Sequence, residues 1–301
     1  MAYIRMTCHT DDAEIKAAYL RFVETVEPRL KVAAFELDKK IHGSAHKEGL
    51  DPSLFGSVLR DIDTAVSIFR AENVPIETAL TKLNQEYSEL SGAMSVVFRG
   101  EEKTLPQMAR YQEETDRPTR EEAWRLVTER RYVEHAKMER IFDEMVGLRA
   151  RCAANAGYGN YRDYAFKLRR RYDYTPEDCR LFAEGVERSI VPAMRRLNRQ
   201  RREALGLGAL RPWDLVVEVK GRAPLKPVSS GADLLERTRR VCRRMDDSAG
   251  GLSELFEVRC HPPAGVECLD LESRKGKAPG GYQANRDRIR LPFIFMNAAG
   301  V

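Results

Sequence analysis

The chain has 301 residues, 43% of them hydrophobic, enough for a sizeable core in one large or two ordinary domains and too apolar for a disordered polypeptide. Its net charge of +5 is the small difference between 51 basic and 46 acidic residues, so mixed-sign pairs on solvated helical faces are expected, not a basic field for nucleic acid. No run approaches the roughly eighteen to twenty apolar residues of a membrane span, the six cysteines form no C-x-x-C pair, and Met1-Ala2-Tyr3-Ile4-Arg5 lacks the apolar core of a signal peptide, which together fit a reducing cytoplasm.

Asp11 to Ile41 reads as helix, because Ile15, Tyr19, Phe22, Val23 and Val26 recur at three- and four-residue steps and acidic residues sit at the positive end of its dipole. Pro28 should kink or split it. Asp51-Pro52 offers an N-cap with proline at the first helical position, and Leu54, Phe55, Val58, Leu59, Ile62, Val66 and Phe69 carry a second helix to about Arg70. Pro75 opens a third. Ser95 to Leu105, a β-rich run around a glycine turn, predicts a small hairpin. Thr119-Arg120-Glu121-Glu122 matches a capping box, from which one long helix is expected through Trp124, Val127, Ile141, Met145 and Cys152 until Gly157 and Gly159 end it.

Asn160 can cap a short helix, and Thr175-Pro176 begins another that Pro192 should bend. From Leu210, short extended runs such as Leu215 to Val219 are expected between prolines and glycines, followed by a helix from about Asp233 to Met245 and an apolar strand over Leu291 to Met296. The predicted fold class is mainly α with a few strands near the C-terminal end.

A zinc site needs two or three imidazole or carboxylate ligands and an open position for water. The residues after His9, His42, His46, His135 and His261 are Thr, Gly, Lys, Ala and Pro, so no H-E-x-x-H exists. His42 and His46 share a helical face weakened by Gly43, and His261 beside Cys260 reads as a turn with a nearby thiol. The pairs Glu121/Glu122 and Asp246/Asp247 read as capping and solvated surface. Ser273 to Gly281 is basic and glycine-rich but lacks the order G-x-x-x-x-G-K-[ST] of a phosphate loop. The arginine clusters at 169–171, 195–202 and 239–244 have acidic neighbours and no nucleic-acid motif, which leaves an RNA- or DNA-associated helical protein as the weakest reading.

Several short segments occur in a telling order: Asp116-Arg117-Pro118-Thr119-Arg120 before a helix with Ala123-Trp124, then Gly159 to Tyr164, Tyr172 to Asp178, Leu210 to Asp214 and Pro224 to Pro227. They lead to Asp270-Leu271-Glu272-Ser273-Arg274-Lys275-Gly276-Lys277-Ala278-Pro279-Gly280-Gly281-Tyr282 and to Leu291-Pro292-Phe293-Ile294-Phe295-Met296-Asn297-Ala298-Ala299. This set resembles the M3-family zinc peptidases of the oligoendopeptidase F type, in which the last two segments come just before a helix carrying H-E-x-x-H.

The resemblance implies a zincin-like helical shell around a deep channel with a small sheet. Residues 1–118 would be the N-terminal helical region with its hairpin near 95–105, and residues 119–301 an incomplete N-terminal portion of the catalytic domain, truncated before the zinc motif. It further implies a metalloendopeptidase hydrolysing short peptides, with zinc as the cofactor of the complete enzyme and none expected bound by this chain. No catalytic or metal residue is expected here, and the chain alone is expected to be inactive. Asn297, Ala298, Ala299, Gly280, Gly281 and Tyr282 would be substrate-binding, the strand from Ile289 to Asn297 being the sheet edge along which a peptide backbone lies. Neither nucleic acid nor membrane is an expected partner. The competing expectation is a non-catalytic helical binding protein of the same fold.

Overall fold

Local side-chain chemistry sets most helix boundaries in the structure, a computed structural model that describes residues 1–246, 248, 251, 268–286, 288 and 291–298. Helix α1 (Ala2–Cys8) is one the periodicity did not announce, and it buries Ile4, Met6, Thr7 and Cys8. In α2 (Ala13–Thr25) the Asp12 carboxylate accepts from the backbone N–H groups of Glu14 and Ile15, each at 2.9 Å. Pro28 does split the expected long helix, because it occupies the first turn of α3 (Glu27–His42), where no N–H is needed. Asp51 caps α4 (Pro52–Ile68), and α5 (Asn73–Gly92) runs to the hairpin. Strands β1 (Ser95–Phe98) and β2 (Glu101–Thr104) pair antiparallel through Arg99 and Gly100, both at positive φ, the conformation that a two-residue hairpin demands.

After the short α6 (Leu105–Met108), helix α7 (Arg117–Val133) begins two residues before the expected capping box. Asp116, not Thr119, is the cap: its carboxylate accepts from the Thr119 N–H at 3.0 Å and from the Thr119 hydroxyl at 2.5 Å, and Pro118 fits the first turn. The single long helix expected from there is two. Helix α7 ends at Val133 and α8 (His135–Asn155) follows, with the His135 ring donating to the Tyr132 carbonyl at 2.7 Å where the helical ladder breaks. Neither glycine nor proline marks that break. Gly157, at φ +83, and Asn160 then separate α8 from α9 (Tyr161–Leu168).

Thr175 and Asp178 form a capping box on α10 (Pro176–Gly185). Between it and α11 (Val191–Ala204) the helix widens into a π turn, the Val191 N–H reaching back to the Val186 carbonyl. Pro192, lacking an N–H, lies at the next position, so the expected bend takes the form of one wide turn. Residues 215–219 are bends and a turn, not the extended run expected, because the Arg201 guanidinium takes the carbonyl of Val217 at 2.6 Å and that of Asp214 at 3.4 Å in place of a partner strand. Helix α12 (Gly231–Met245) is capped by Ser230.

The chain divides into two compact units, residues 1–16, 88–135 and 198–301 in one and 17–87 and 136–197 in the other. Each therefore takes residues from both sides of the expected 118/119 boundary. The second unit is helical, with a core of Ile68, Cys152, Ala153, Ala156 and Tyr164. In it Asn73 is buried and donates to the Cys152 carbonyl at 3.0 Å, while the Asn155 side chain donates back to Asn73 at 2.8 Å. The first unit holds the hairpin and a three-stranded sheet of β3 (Leu269–Glu272), β4 (Tyr282–Arg286) and β5 (Leu291–Ala298).

The sheet order is β3-β5-β4, with β3 parallel and β4 antiparallel to β5. This corrects the edge role expected for β5. Its side chains Phe293 and Phe295 are 2% and 1% exposed, and a strand that apolar is most stable with neighbours on both sides. Ile289, the start of the expected strand, lies outside the described residues.

Candidate functional site

The loop from Ser273 to Gly281 joins β3 to β4, and its backbone groups are spent on the protein itself. The Gly276 N–H donates to the Gly92 carbonyl at 2.9 Å, the Gly276 carbonyl accepts from the Thr10 N–H at 2.7 Å, and the Ala278 N–H donates to Thr7 at 2.8 Å. Gly276 is at φ +78, and a side chain there would overlap the Asp11 carboxylate, so glycine is required on both counts. The loop is thus seated between the end of α1 and the end of α5.

Under it lies a buried charge cluster. Asp270 receives both terminal nitrogens of Arg274, at 2.7 and 2.9 Å, and the ammonium of Lys277 at 2.7 Å. Burial pushes the Asp270 carboxyl up, but the hydrogen bonds from Arg274, Lys277 and Cys8 outweigh it and hold the group at about 2. The Cys8 thiol is pushed up to about 12, by burial first and by Asp270 second. The Tyr282 phenol also stands at about 12, chiefly through burial; its hydroxyl is 2.7 Å from Thr7 Oγ1 and its ring stacks on Phe295 at 4.8 Å. At neutral pH the carboxylate is therefore ionised and neutralised, and the thiol and phenol are protonated. None of the three is poised as a nucleophile or general base.

Five of the six sequence-predicted site residues fall together at this corner of the sheet. The Asn297 side-chain amide donates to the carbonyls of Ala278 and Gly280, at 2.9 and 2.8 Å, and so clamps the turn before Tyr282. Ala298 pairs with Glu272 across β3 and β5. Gly280 is exposed at φ +88 with open space around it, whereas a Cβ on Gly281 would stand 3.1 Å from the Phe295 carbonyl oxygen. Ala299 lies outside the described residues. Lys277 and Asp270, which organise the corner, were not singled out by sequence, since a lysine in a glycine-rich basic run reads as surface.

Gly281→Val should accordingly lower stability, by about 1–3 kcal/mol as overpacking against β5 does. A thermal melt checks it. An unchanged melting midpoint would show that the position has room for a side chain and that its glycine serves something other than packing.

The described residues do not fit a zinc ion. Among them no group of three or more His, Cys, Asp or Glu side chains is placed to hold a metal; the His42 ring is engaged by Asp63 at 2.7 Å and His135 by a backbone carbonyl. Cys260 and His261 lie outside the described residues.

Elsewhere in the same unit, Asp214 is fully buried and accepts from Arg117 twice at 2.9 Å, from Arg120 at 3.2 Å and from the Arg211 N–H at 2.9 Å. A cavity of about 290 Å³ beside it is bordered by Arg117, Arg120, Leu205, Val217 and Glu218, and none of the predicted site residues lines it.

This arginine and aspartate centre sits inside the segment that matches a known family: residues 110–230 match Peptidase family M3. PZ peptidase A, solved with an inhibitor, superposes on all of this chain with a TM-score of 0.90 at 26% identity, the match covering 52% of its own length. The fold is that of the M3 peptidases of the oligoendopeptidase F type. A Bacillus anthracis protein assigned as an oligoendopeptidase F shows the same M3 architecture, with a TM-score of 0.89 at 24% identity over all of this chain and 54% of its own. The oligoendopeptidase F of Enterococcus faecium matches 81% of this chain and 52% of its own, with a TM-score of 0.60 at 16% identity. The chain thus spans about half the length of the M3-fold structures it matches. No curated protein matches the sequence.

Proposed function

We propose that this chain is the channel-wall portion of an M3 metalloendopeptidase that hydrolyses short peptides in the cytoplasm. The observation that carries the reading is the superposition of the whole chain on PZ peptidase A, joined to the family match over residues 110–230. Asn297, Ala298 and Ala299, with Gly280, Gly281 and Tyr282, form the wall that substrate meets. Because β5 is internal, a peptide backbone adds to the outer strand β4, which begins at Tyr282 directly after the Gly280-Gly281 turn.

Zinc, where bound, supplies a nucleophilic water at neutral pH; the described residues do not hold it, and no catalytic step is assigned to them. No described helix is long and apolar enough to cross a membrane. Incubating the chain with quenched-fluorescent short peptides, alongside metal analysis after dialysis, tests the assignment. The expected result is peptide binding without turnover and without stoichiometric zinc. Chelator-sensitive turnover would show that the chain carries its own catalytic centre, and an absence of peptide affinity would remove the wall role.

A further inference from the structure

The side chain of Lys277 is wholly buried, and its ammonium is surrounded by four oxygens: Asp270 Oδ1 at 2.7 Å, the Asp270 carbonyl at 3.1 Å, the Glu272 carbonyl at 2.9 Å and the Met296 carbonyl at 2.6 Å. The face of Phe295 lies 4.6 Å away. An ammonium has three protons, so four oxygens and an aromatic face make a socket for a charge as much as a set of hydrogen bonds.

Two of the carbonyls belong to β3 and one to β5, and they converge where the ladder between those strands slips. Asp270 pairs with Phe295, but Glu272 pairs with Ala298, so β5 carries an extra residue in the interval Met296 to Asn297. Such a bulge leaves backbone groups without ladder partners and turns the next side chain to a new direction. Here the Met296 carbonyl is taken by Lys277, and the next side chain, Asn297, reaches the carbonyls of Ala278 and Gly280.

We infer that Lys277 is a positioning residue: its buried ammonium, seated among the carbonyls of β3 and β5, holds the β5 bulge open and thereby aims Asn297 at the Ala278–Gly281 turn. The relevance to substrate rests on the proposed peptidase reading, but the placement of Asn297 does not, and the test reads only the folded chain.

Lys277→Ala deletes the fragment from Cγ to Nζ, which n-propylammonium can replace. The Asn297 side-chain amide, followed by NMR, should exchange with solvent at least about tenfold faster in the variant, as loss of charge-held placement implies. Adding n-propylammonium should restore both its protection and the melting midpoint. The neutral 1-propanol and the oversized tetramethylammonium at equal concentration should restore neither. Lys277→Met, which keeps the bulk without the charge, should also release the Asn297 amide and serves if Lys277→Ala does not fold. Wild-type Asn297 protection in Lys277→Met, or equal rescue by 1-propanol, would overturn the role of the charge. Failure of peptide binding with Asn297 still protected would instead strike only the substrate reading.

Discussion

Asp214→Ala should destabilise the chain by about 3–5 kcal/mol, the cost of leaving a buried charge without its partner. The reason lies in Arg120, which is 3% exposed. Its Nε and Nη1 donate to the carbonyls of Trp213, Glu114 and Thr115, at 2.8, 2.9 and 3.0 Å. Without the Asp214 carboxylate the guanidinium would keep its hydrogen bonds to neutral groups and lose the counter-charge that Asp214 supplies inside the core through the 3.2 Å contact. Burial by itself raises the Asp214 carboxyl, yet the hydrogen bonds from Arg117 and the Arg211 N–H bring it below its usual value, so the ionised form is the one the fold requires. Asp214→Asn keeps the shape but not the charge and should fall between wild type and Asp214→Ala. Urea unfolding at neutral pH decides it, and a loss below about 1 kcal/mol for Asp214→Ala would mean that the centre relaxes or admits water.

What the sequence disclosed was mostly local. Asp51, Asn160 and Thr175 act as caps within three residues of the groups they satisfy, and Pro28 and Pro192 act on their own turns, so no tertiary knowledge was needed to place them. Thr119 is not the cap because Asp116, three residues earlier, takes the Thr119 N–H and hydroxyl and starts the helix there, which places Thr119 inside the first turn. The break between α7 and α8 has no breaker residue, and the bends at residues 215–219 depend on Arg201, a donor from another helix. At the candidate site the glycines were legible as a tight turn. The burial of Lys277 among carbonyls of β3 and β5, and the partnership of Asp270 with Cys8 at the other end of the chain, were not, because spacing carries no trace of such contacts. The central place of β5 was likewise hidden: an apolar run announces a strand, but not how many neighbours it has.

Asp270→Asn should produce the second large loss, and this one should depend on pH. The Asp270 carboxyl is at about 2 in the folded chain against an ordinary 3.8, a difference that corresponds to about 2 kcal/mol of stability at neutral pH. The sign follows from proton binding. The unfolded carboxyl takes up a proton at higher pH than the folded one, so the contribution is complete above 3.8 and is lost as pH falls toward about 2. Replacement by asparagine removes that contribution at neutral pH. It also leaves the Lys277 ammonium among carbonyl oxygens alone, which brings the expected total to about 3–5 kcal/mol. Urea unfolding of wild type and variant at neutral pH, then at steps down through pH 4 toward about 2, should show the gap narrowing in the acid range. The narrowing comes from the wild type losing stability, since the asparagine has no proton to gain. A gap that stays constant through that range would show that the Asp270 charge contributes nothing and that only its shape matters.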